Sequence, residues 1–441
     1  MIMAMAGSAV GLGNMWRFPF LAAQNGGGAF IFVYMVLLFV ICLPVLMTEM
    51  MLGRRSRSNA TRVYDRLGAP GWRPVGLFTL ITPIIILGFY IVVGGWSVKY
   101  LVESCLFHFQ EPNADYAAAF TGFISSTWAP VLYTLLFLGI TSAVILGGVQ
   151  KGIERFSKPM MTLLILMIVI IAIRAVTLPG AGDGVKYLLV PDFDRINGKV
   201  MVTALGQAFM SMSIGIGILL TYGSYVKSNE DIVQTSIYTG VIDTVFAIIA
   251  GLAIIPAVFA IAHMNGTEPA VNAGPGLVFI TLPSVFASMP GGQIIAVLFF
   301  VSLLLAAVTS AMSLMEVLVS YLIEEWKLTR TRAVVASIIV CTVLGVLCSL
   351  SQGVLAGVKI AGMNIFDFFD VVSSDFFITV GAFFMVIFAG WKLKKDDFMD
   401  EISAHGASDV PEWMLKTVYF LLKWVAPLGI AVIMASNFLL K

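Results

Sequence analysis

The chain has 441 residues, a net charge of +1, 59% hydrophobic residues and 12% charged residues. Soluble domains carry about 25% charged residues, so this composition, with a mean hydropathy of +0.97, excludes a water-facing globule. The near-zero charge gives no field for nucleic acid; the fold class is an all-α polytopic membrane protein.

Apolar runs of spanning length, roughly 20 residues each, fall at about 1–20, 28–52, 75–103, 130–148, 157–178, 200–225, 233–262, 293–323, 333–350, 364–391 and 414–440. These are segments 1 to 11. Segment 1 opens apolar at Met1 without the basic lead and small-residue cleavage site of a signal peptide, so it reads as a span; whether another segment precedes it is left open.

Loop charge sets the orientation. Arg54, Arg55, Arg57, Arg62, Arg66 and Arg73 lie between segments 2 and 3, Lys151, Arg155 and Lys158 between 4 and 5, Lys327, Arg330 and Arg332 between 8 and 9, and Lys392, Lys394 and Lys395 after 10. The loop between 5 and 6 is mixed. This pattern predicts a multi-pass protein of the cell membrane, plasma or inner, with a cytoplasmic amino terminus and an extracytoplasmic carboxyl terminus.

Segments 1 and 6 are interrupted alike, by Gly7-Ser-Ala-Val-Gly11-Leu-Gly13-Asn14 and by Ser211-Met-Ser213-Ile-Gly215-Ile-Gly217. They stand five segments apart, and an odd-numbered repeat must insert upside down. Unwound backbone is tolerated at that depth only where it lines a polar cavity, so paired glycine breaks point to a transporter site at the midplane. A helix-packing GxxxG face at Gly7 and Gly11 is the competing reading.

Ionisable groups inside spans are costly and mark function by default. Asp243, amid apolar residues of segment 7, reads as a cation ligand or proton carrier. Glu49 and Glu316 read as structural partners for backbone or arginine. Arg17 either snorkels or pairs with an acid of another segment; Asp370 and Asp375 lie in segment 10. The adjacent hydroxyls Thr309 and Ser310 either bond back to their own helix or, with bare carbonyls, supply the five or six oxygens a hard cation wants. The cysteines Cys42, Cys105, Cys341 and Cys348 lack CxxC spacing and the histidines His108, His263 and His405 lie far apart, so neither a thiolate metal site nor an organic cofactor is indicated. An intramembrane enzyme would need a nucleophile with its base, and no histidine stands near these groups. A channel or a non-transporting sensor is the other competing class.

Segment 1, with Gly7 to Pro19 followed by Asn25-Gly-Gly-Gly-Ala-Phe30, resembles the first helix of the neurotransmitter:sodium symporter family of the bacterial LeuT type. The likeness continues through Lys151-Gly-Ile-Glu-Arg-Phe-Ser-Lys158, Gly206-Gln-Ala-Phe209, Thr221-Tyr-Gly-Ser-Tyr225 and Phe279-Ile-Thr-Leu-Pro283, over nearly the whole chain.

The resemblance implies a LeuT-type inverted repeat of segments 1–5 (1–178) and 6–10 (179–391, with an outer-loop hairpin at about 265–290), then a cytoplasmic loop and eleventh helix (392–441). It implies two sodium sites. One uses the carbonyls of Gly7, Val10 and Ala306 with the hydroxyls of Thr309 and Ser310. The other uses the Ala9 carbonyl, Asn14, Ser211, Asp243 and the substrate carboxylate. Tyr90 and the amides around Gly11 and Gly13 would hold that carboxylate, and Ile86, Met210, Ser213, Ile216 and Leu314 would pack on the side chain. Arg17 and Asp370 would close the outer side. Glu324 belongs to the inner gate, but the arginine that the family pairs with it is not in this sequence.

Glycine at position 11, where monoamine carriers place an acid, leaves room for a substrate carboxylate. Ala247 lacks the hydroxyl of chloride-dependent relatives, while Asp243 stands where the family usually has a neutral amide and supplies a fixed negative charge. The expected function is therefore chloride-independent, sodium-coupled symport, by alternating access, of neutral hydrophobic or aromatic amino acids. A proton-coupled or amine- or indole-type carrier on the same fold is the alternative. Expected partners are an amino acid as small-molecule substrate, sodium and the lipid bilayer, and an oligomer is possible.

Overall fold

The computed structural model describes residues 2–111, 114–148, 152–153, 155–269, 274–406, 408 and 410–439. Among them, nine helices are long and apolar enough to cross a membrane. They are Gly28–Ser56, Pro70–Cys105, Ala129–Leu146, Arg155–Val176, Ile232–Met264, Gly292–Glu325, Arg330–Leu350, Ile365–Lys392 and Glu412–Ser436. These coincide with segments 2 to 5 and 7 to 11. Of the family-like stretch 151–158, Lys151 and Glu154 lie outside the described residues. In the outer hairpin, 270–273 lie outside them as well, and Leu282–Ser288 forms its helix.

Segments 1 and 6 are each divided. Segment 1 runs as a helix over Ile2–Ala9 and resumes with a π turn at Gly13–Arg17 that leads into Phe18–Gln24. Segment 6 is helical over Gly198–Ser211 and again over Ile218–Tyr225. Between its halves, Ser213, Gly215 and Gly217 take φ of 54°, 76° and 84°. A right-handed helix cannot pass through left-handed residues. Glycine adopts them freely, whereas Ser213 carries a strain of order 1–2 kcal/mol.

Close backbone contacts bring the segments around the breaks together. Gly53 of segment 2 lies against the Leu220 carbonyl, and Gly223 against the Met50 carbonyl, each too near to admit a methyl group. Small residues at such crossings let helices pack by van der Waals contact, since lipid offers little hydrophobic drive between them. Segment 3 is the central post, with Gly95 against Thr134 of segment 4 and Ile91 against Gly345 of segment 9. On one side of the breaks, Trp96, Tyr100, Phe120, Phe279 and Phe300 form an aromatic cluster, with Trp96 and Phe279 edge to face at 5.8 Å and Phe120 stacked on Phe279 at 5.5 Å.

Candidate functional site

A narrow cavity of about 60 Å³ lies between the two breaks. Its walls are Ser8, Ala9, Gly11, Leu12, Gly13 and Asn14 of segment 1, Ile86 and Tyr90 of segment 3, Met210, Ser211, Ser213, Ile216 and Ile218 of segment 6, and Ser310 and Leu314 of segment 8. Every residue that the sequence nominated for substrate contact is here. Ile86 with Tyr90, and Ser310 with Leu314, are four apart and share a helix face.

The cavity is polar at one end and apolar at the other. A methyl group on Gly11 would stand 2.5 Å from the Ser310 hydroxyl and 3.4 Å from the Tyr90 hydroxyl. The Tyr90 hydroxyl is buried beside the Ser310 hydroxyl and the Leu12 backbone but makes no well-aligned hydrogen bond among the described residues. A buried, poorly paired hydroxyl costs at most about 1–3 kcal/mol, and an acceptor placed beside Gly11 would satisfy it. Ile86, Met210, Ile216 and Leu314 close the other end.

The first cation set meets where segments 1 and 8 touch. A methyl group on Gly7 would lie 3.5 Å from Thr309 Cβ. In an unbroken helix the Gly7 and Val10 carbonyls would accept from Gly11 and Asn14. Instead the Gly11 amide donates to Asn14 Oδ1 at 3.4 Å, and the Asn14 amide to the Gly11 carbonyl at 3.1 Å. The Gly7 and Val10 carbonyls are thus released from those helical bonds, and Gly7 lies beside Thr309. The Thr309 hydroxyl bonds back to Leu305 and Ala306 of its own helix, both at 3.0 Å. That of Ser310 crosses to the Ser8 carbonyl at 3.4 Å, and Ser213 donates to the same carbonyl at 3.2 Å. Neutral oxygens in this number are the donor set a hard monovalent cation needs.

The second set closes around Asp243, which is fully buried. Asn14 Nδ2 donates to Asp243 Oδ1 at 2.8 Å and to Ser211 Oγ at 3.0 Å. Ser211 donates to Asp243 at 2.7 and 3.0 Å, and Tyr34 of segment 2 donates to Oδ2 at 2.8 Å. A half-turn of the Asn14 amide would face its oxygen toward this cluster, leaving the carboxylate, hydroxyl and amide oxygens to converge. The residues at both sites therefore fit sodium. Tyr34 and Ser8 escaped the sequence reading: a hydroxyl inside an apolar run carries no periodic signal.

The remaining charges divide into structural and pathway groups. Glu49 accepts from the Gly215 amide at 3.1 Å and the Gly217 amide at 3.2 Å, so it pins the break of segment 6. Glu316 takes Arg330 in a two-point bridge at 2.6 and 3.1 Å and the Tyr225 hydroxyl at 3.2 Å. Both match the expected role of partner to backbone or arginine. Arg17 lines a second cavity, of about 550 Å³, that shares Met210 with the first and also contains Lys199, Ser374 and Asp375. Asp370 is not among the residues lining it; its carbonyl accepts from Ser373 and Ser374 at 3.0 and 2.8 Å. Glu324, expected to lack its family partner, accepts from the Asn59 amide and side chain at 2.7 and 2.9 Å. Beside it, Arg62 pairs with Glu325.

Comparison with known proteins agrees with this geometry. The chain matches the sodium:neurotransmitter symporter family over residues 1–117 and 123–440. It is 34% identical over 435 residues to an uncharacterized sodium-dependent transporter, YhdH, of Bacillus subtilis, covering 98% of this chain and 94% of that one. It is 27% identical over 451 residues to a sodium- and chloride-dependent taurine transporter of Bos taurus, covering 91% and 71%. The crystal structure of MhsT in complex with L-phenylalanine superposes with a TM-score of 0.88 at 38% identity, covering 99% of this chain and 98% of that one.

Proposed function

Because the chain belongs to the sodium:neurotransmitter symporter family and has its LeuT-type fold with broken first and sixth helices, we propose that it drives the uptake of neutral, hydrophobic or aromatic amino acids with sodium, independently of chloride. Sodium-coupled transport comes with the family, and the finer reading rests on the cavity. Its carriers are the buried Tyr90 hydroxyl beside Gly11, which makes no well-aligned hydrogen bond among the described residues, and the aliphatic wall of Ile86, Met210, Ile216 and Leu314 opposite.

In this reading the substrate carboxylate meets Tyr90 and the amides of the broken first segment, and its side chain lies on the wall. Gly7, Val10, Ala306, Thr309 and Ser310 hold one sodium; Ala9, Asn14, Ser211 and Asp243 hold the other with the substrate carboxylate. Half-helix amino-terminal ends favour the anion, and carboxyl-terminal ends and released carbonyls favour sodium. The L-phenylalanine named with MhsT belongs to the proposed substrate class. Ala247 is fully buried one turn from Asp243, with no hydroxyl to receive chloride; the fixed Asp243 charge takes that role.

Both interrupted segments are taken to cross the bilayer, giving eleven spans in repeats 1–178 and 179–391 followed by 392–441. The amino terminus is then cytoplasmic and the carboxyl terminus outside. Alternating access rocks segments 1, 2, 6 and 7 against 3 and 8. Arg17 closes the outer path with Asp370, or with Asp375, which shares its vestibule. Glu324 with Asn59 occupies the inner side. Each charge moved with the gradient is worth about 2.3 kcal/mol per 100 mV.

Thermal-shift screening of the purified protein against twenty amino acids, in sodium and then in potassium, tests this. The largest stabilisation is expected from a neutral hydrophobic or aromatic amino acid, in sodium only. Equal shifts in potassium, or a response confined to amines or charged amino acids, would overturn it.

A further inference from the structure

A groove outside the transport path runs between segments 3 and 10 at the ends nearest the arginine-rich stretch 54–73. Its walls are Trp72, Pro74, Val75 and Phe78 on one helix and Val380 and Phe384 on the other. It encloses about 340 Å³. Phe78 against Phe377, with ring centres 5.4 Å apart, bounds one end, and Trp72 against Phe388, also at 5.4 Å, bounds the other. From Trp72 to Phe78 the helix rises about 9 Å, more than half the depth of one leaflet of a roughly 30 Å core.

With the topology proposed above, on which this inference rests, the groove opens to lipid on the inner-leaflet side. Its walls carry no charged side chain, and the outward faces beside it, Leu77 at 42%, Ile81 at 40% and Phe384 at 43% exposure, are those of helices in hydrocarbon. At its mouth the character changes abruptly. Arg73, 55% exposed and 3.9 Å from Asp65 through one nitrogen, begins segment 3, and exposed Lys392 lies one turn past Phe388. An apolar slot whose two walls each continue in sequence into a basic residue, Arg73 after Trp72 and Lys392 after Phe388, complements a molecule with a hydrocarbon tail and an anionic head.

We propose that this groove binds one acyl chain of an anionic phospholipid of the inner leaflet, with Arg73 and Lys392 holding its phosphate head. Basic residues near an anionic leaflet attract it, and burying the chain adds the apolar term. The site lies one residue from the transport machinery. A methyl group on Gly381 would lie 3.3 Å from the Gly215 carbonyl, and Thr79 packs on Gly217. A chain filling the groove therefore braces the break of segment 6 from the lipid side.

Native mass spectrometry of the full chain in mild detergent, with added phosphatidylglycerol or phosphatidylcholine, reads this directly. The wild type is expected to retain one phosphatidylglycerol about tenfold better than phosphatidylcholine, and to melt at a higher temperature with it. Arg73→Gln with Lys392→Gln, both on the surface, should level the two lipids. Val380→Trp, which fills the slot, should lose both. Equal retention of the two lipids by the wild type would overturn the proposal. So would undiminished retention by Val380→Trp, provided that variant keeps its sodium-dependent thermal shift. A two-chain species that Val380→Trp abolishes would also overturn it, assigning the groove to a second copy.

Discussion

Removing one oxygen, in Tyr90→Phe, should move stability and affinity in opposite directions. In the free protein the Tyr90 hydroxyl is buried beside Ser310 and the Leu12 backbone without a well-aligned hydrogen bond among the described residues. Deleting it removes a poorly satisfied group, whose burial costs at most about 1–3 kcal/mol, and leaves a ring of nearly the same shape, so the ligand-free variant should be about as stable as the wild type or slightly more so. Binding should suffer. A hydrogen bond to a carboxylate is worth about 1.5–3 kcal/mol, which corresponds to an affinity loss of about 10- to 150-fold. Equilibrium binding of a radiolabelled hydrophobic amino acid to the purified variant in saturating sodium measures the second effect, and thermal unfolding without ligand the first. A variant that is less stable without ligand would mean that Tyr90 has a structural partner. An unchanged affinity would mean that the carboxylate does not lie beside Gly11, and the substrate orientation would be wrong.

Thr309→Ala removes a hydroxyl beside the released Gly7 carbonyl, and the sodium concentration for half-maximal binding should rise about tenfold, consistent with one lost ligand of about 1–1.5 kcal/mol; an unchanged titration would displace that cation. Glu49→Ala leaves the Gly215 and Gly217 amides without their acceptor. At about 1–3 kcal/mol for each buried orphan, the loss is about 2–6 kcal/mol, visible as a large fall in melting temperature, and a wild-type melt would contradict the pinning role. Replacing chloride by gluconate should leave uptake unchanged, since buried Ala247 offers no hydroxyl and the Asp243 carboxylate is proposed to supply the negative charge; a collapse of uptake would refute chloride independence.

What could be read from the residues follows from how each signal is encoded. Hydropathy marks long spans because lipid imposes one length on all of them. Glycine clusters mark the breaks because few other residues enter the left-handed region, and Gly215 and Gly217 do so here. The convergence of Gly11, Tyr90, Ser211 and Ser310 on one cavity was legible only through the family likeness, since no local pattern relates residues hundreds of positions apart. Tyr34 illustrates the limit. It bonds Asp243 across 209 positions, and nothing in the apolar run around it sets it apart. The target of Glu49 was hidden for a related reason: its cost in lipid flags it, but its partners are backbone amides that exist only once segment 6 has unwound. Ser213, left-handed without being glycine, gives no sequence sign of its strain. The Asn59 amides that meet Glu324 were hidden as well, because a loop residue 265 positions away carries no local signal of that contact.

The account stands on one ion gradient doing work through the divided helices. Purified protein in proteoliposomes, loaded with potassium and diluted into sodium, should accumulate a labelled hydrophobic amino acid above its external concentration and release it when a sodium ionophore is added. Accumulation that persists with the ionophore present, or uptake that proceeds equally in potassium, would contradict it.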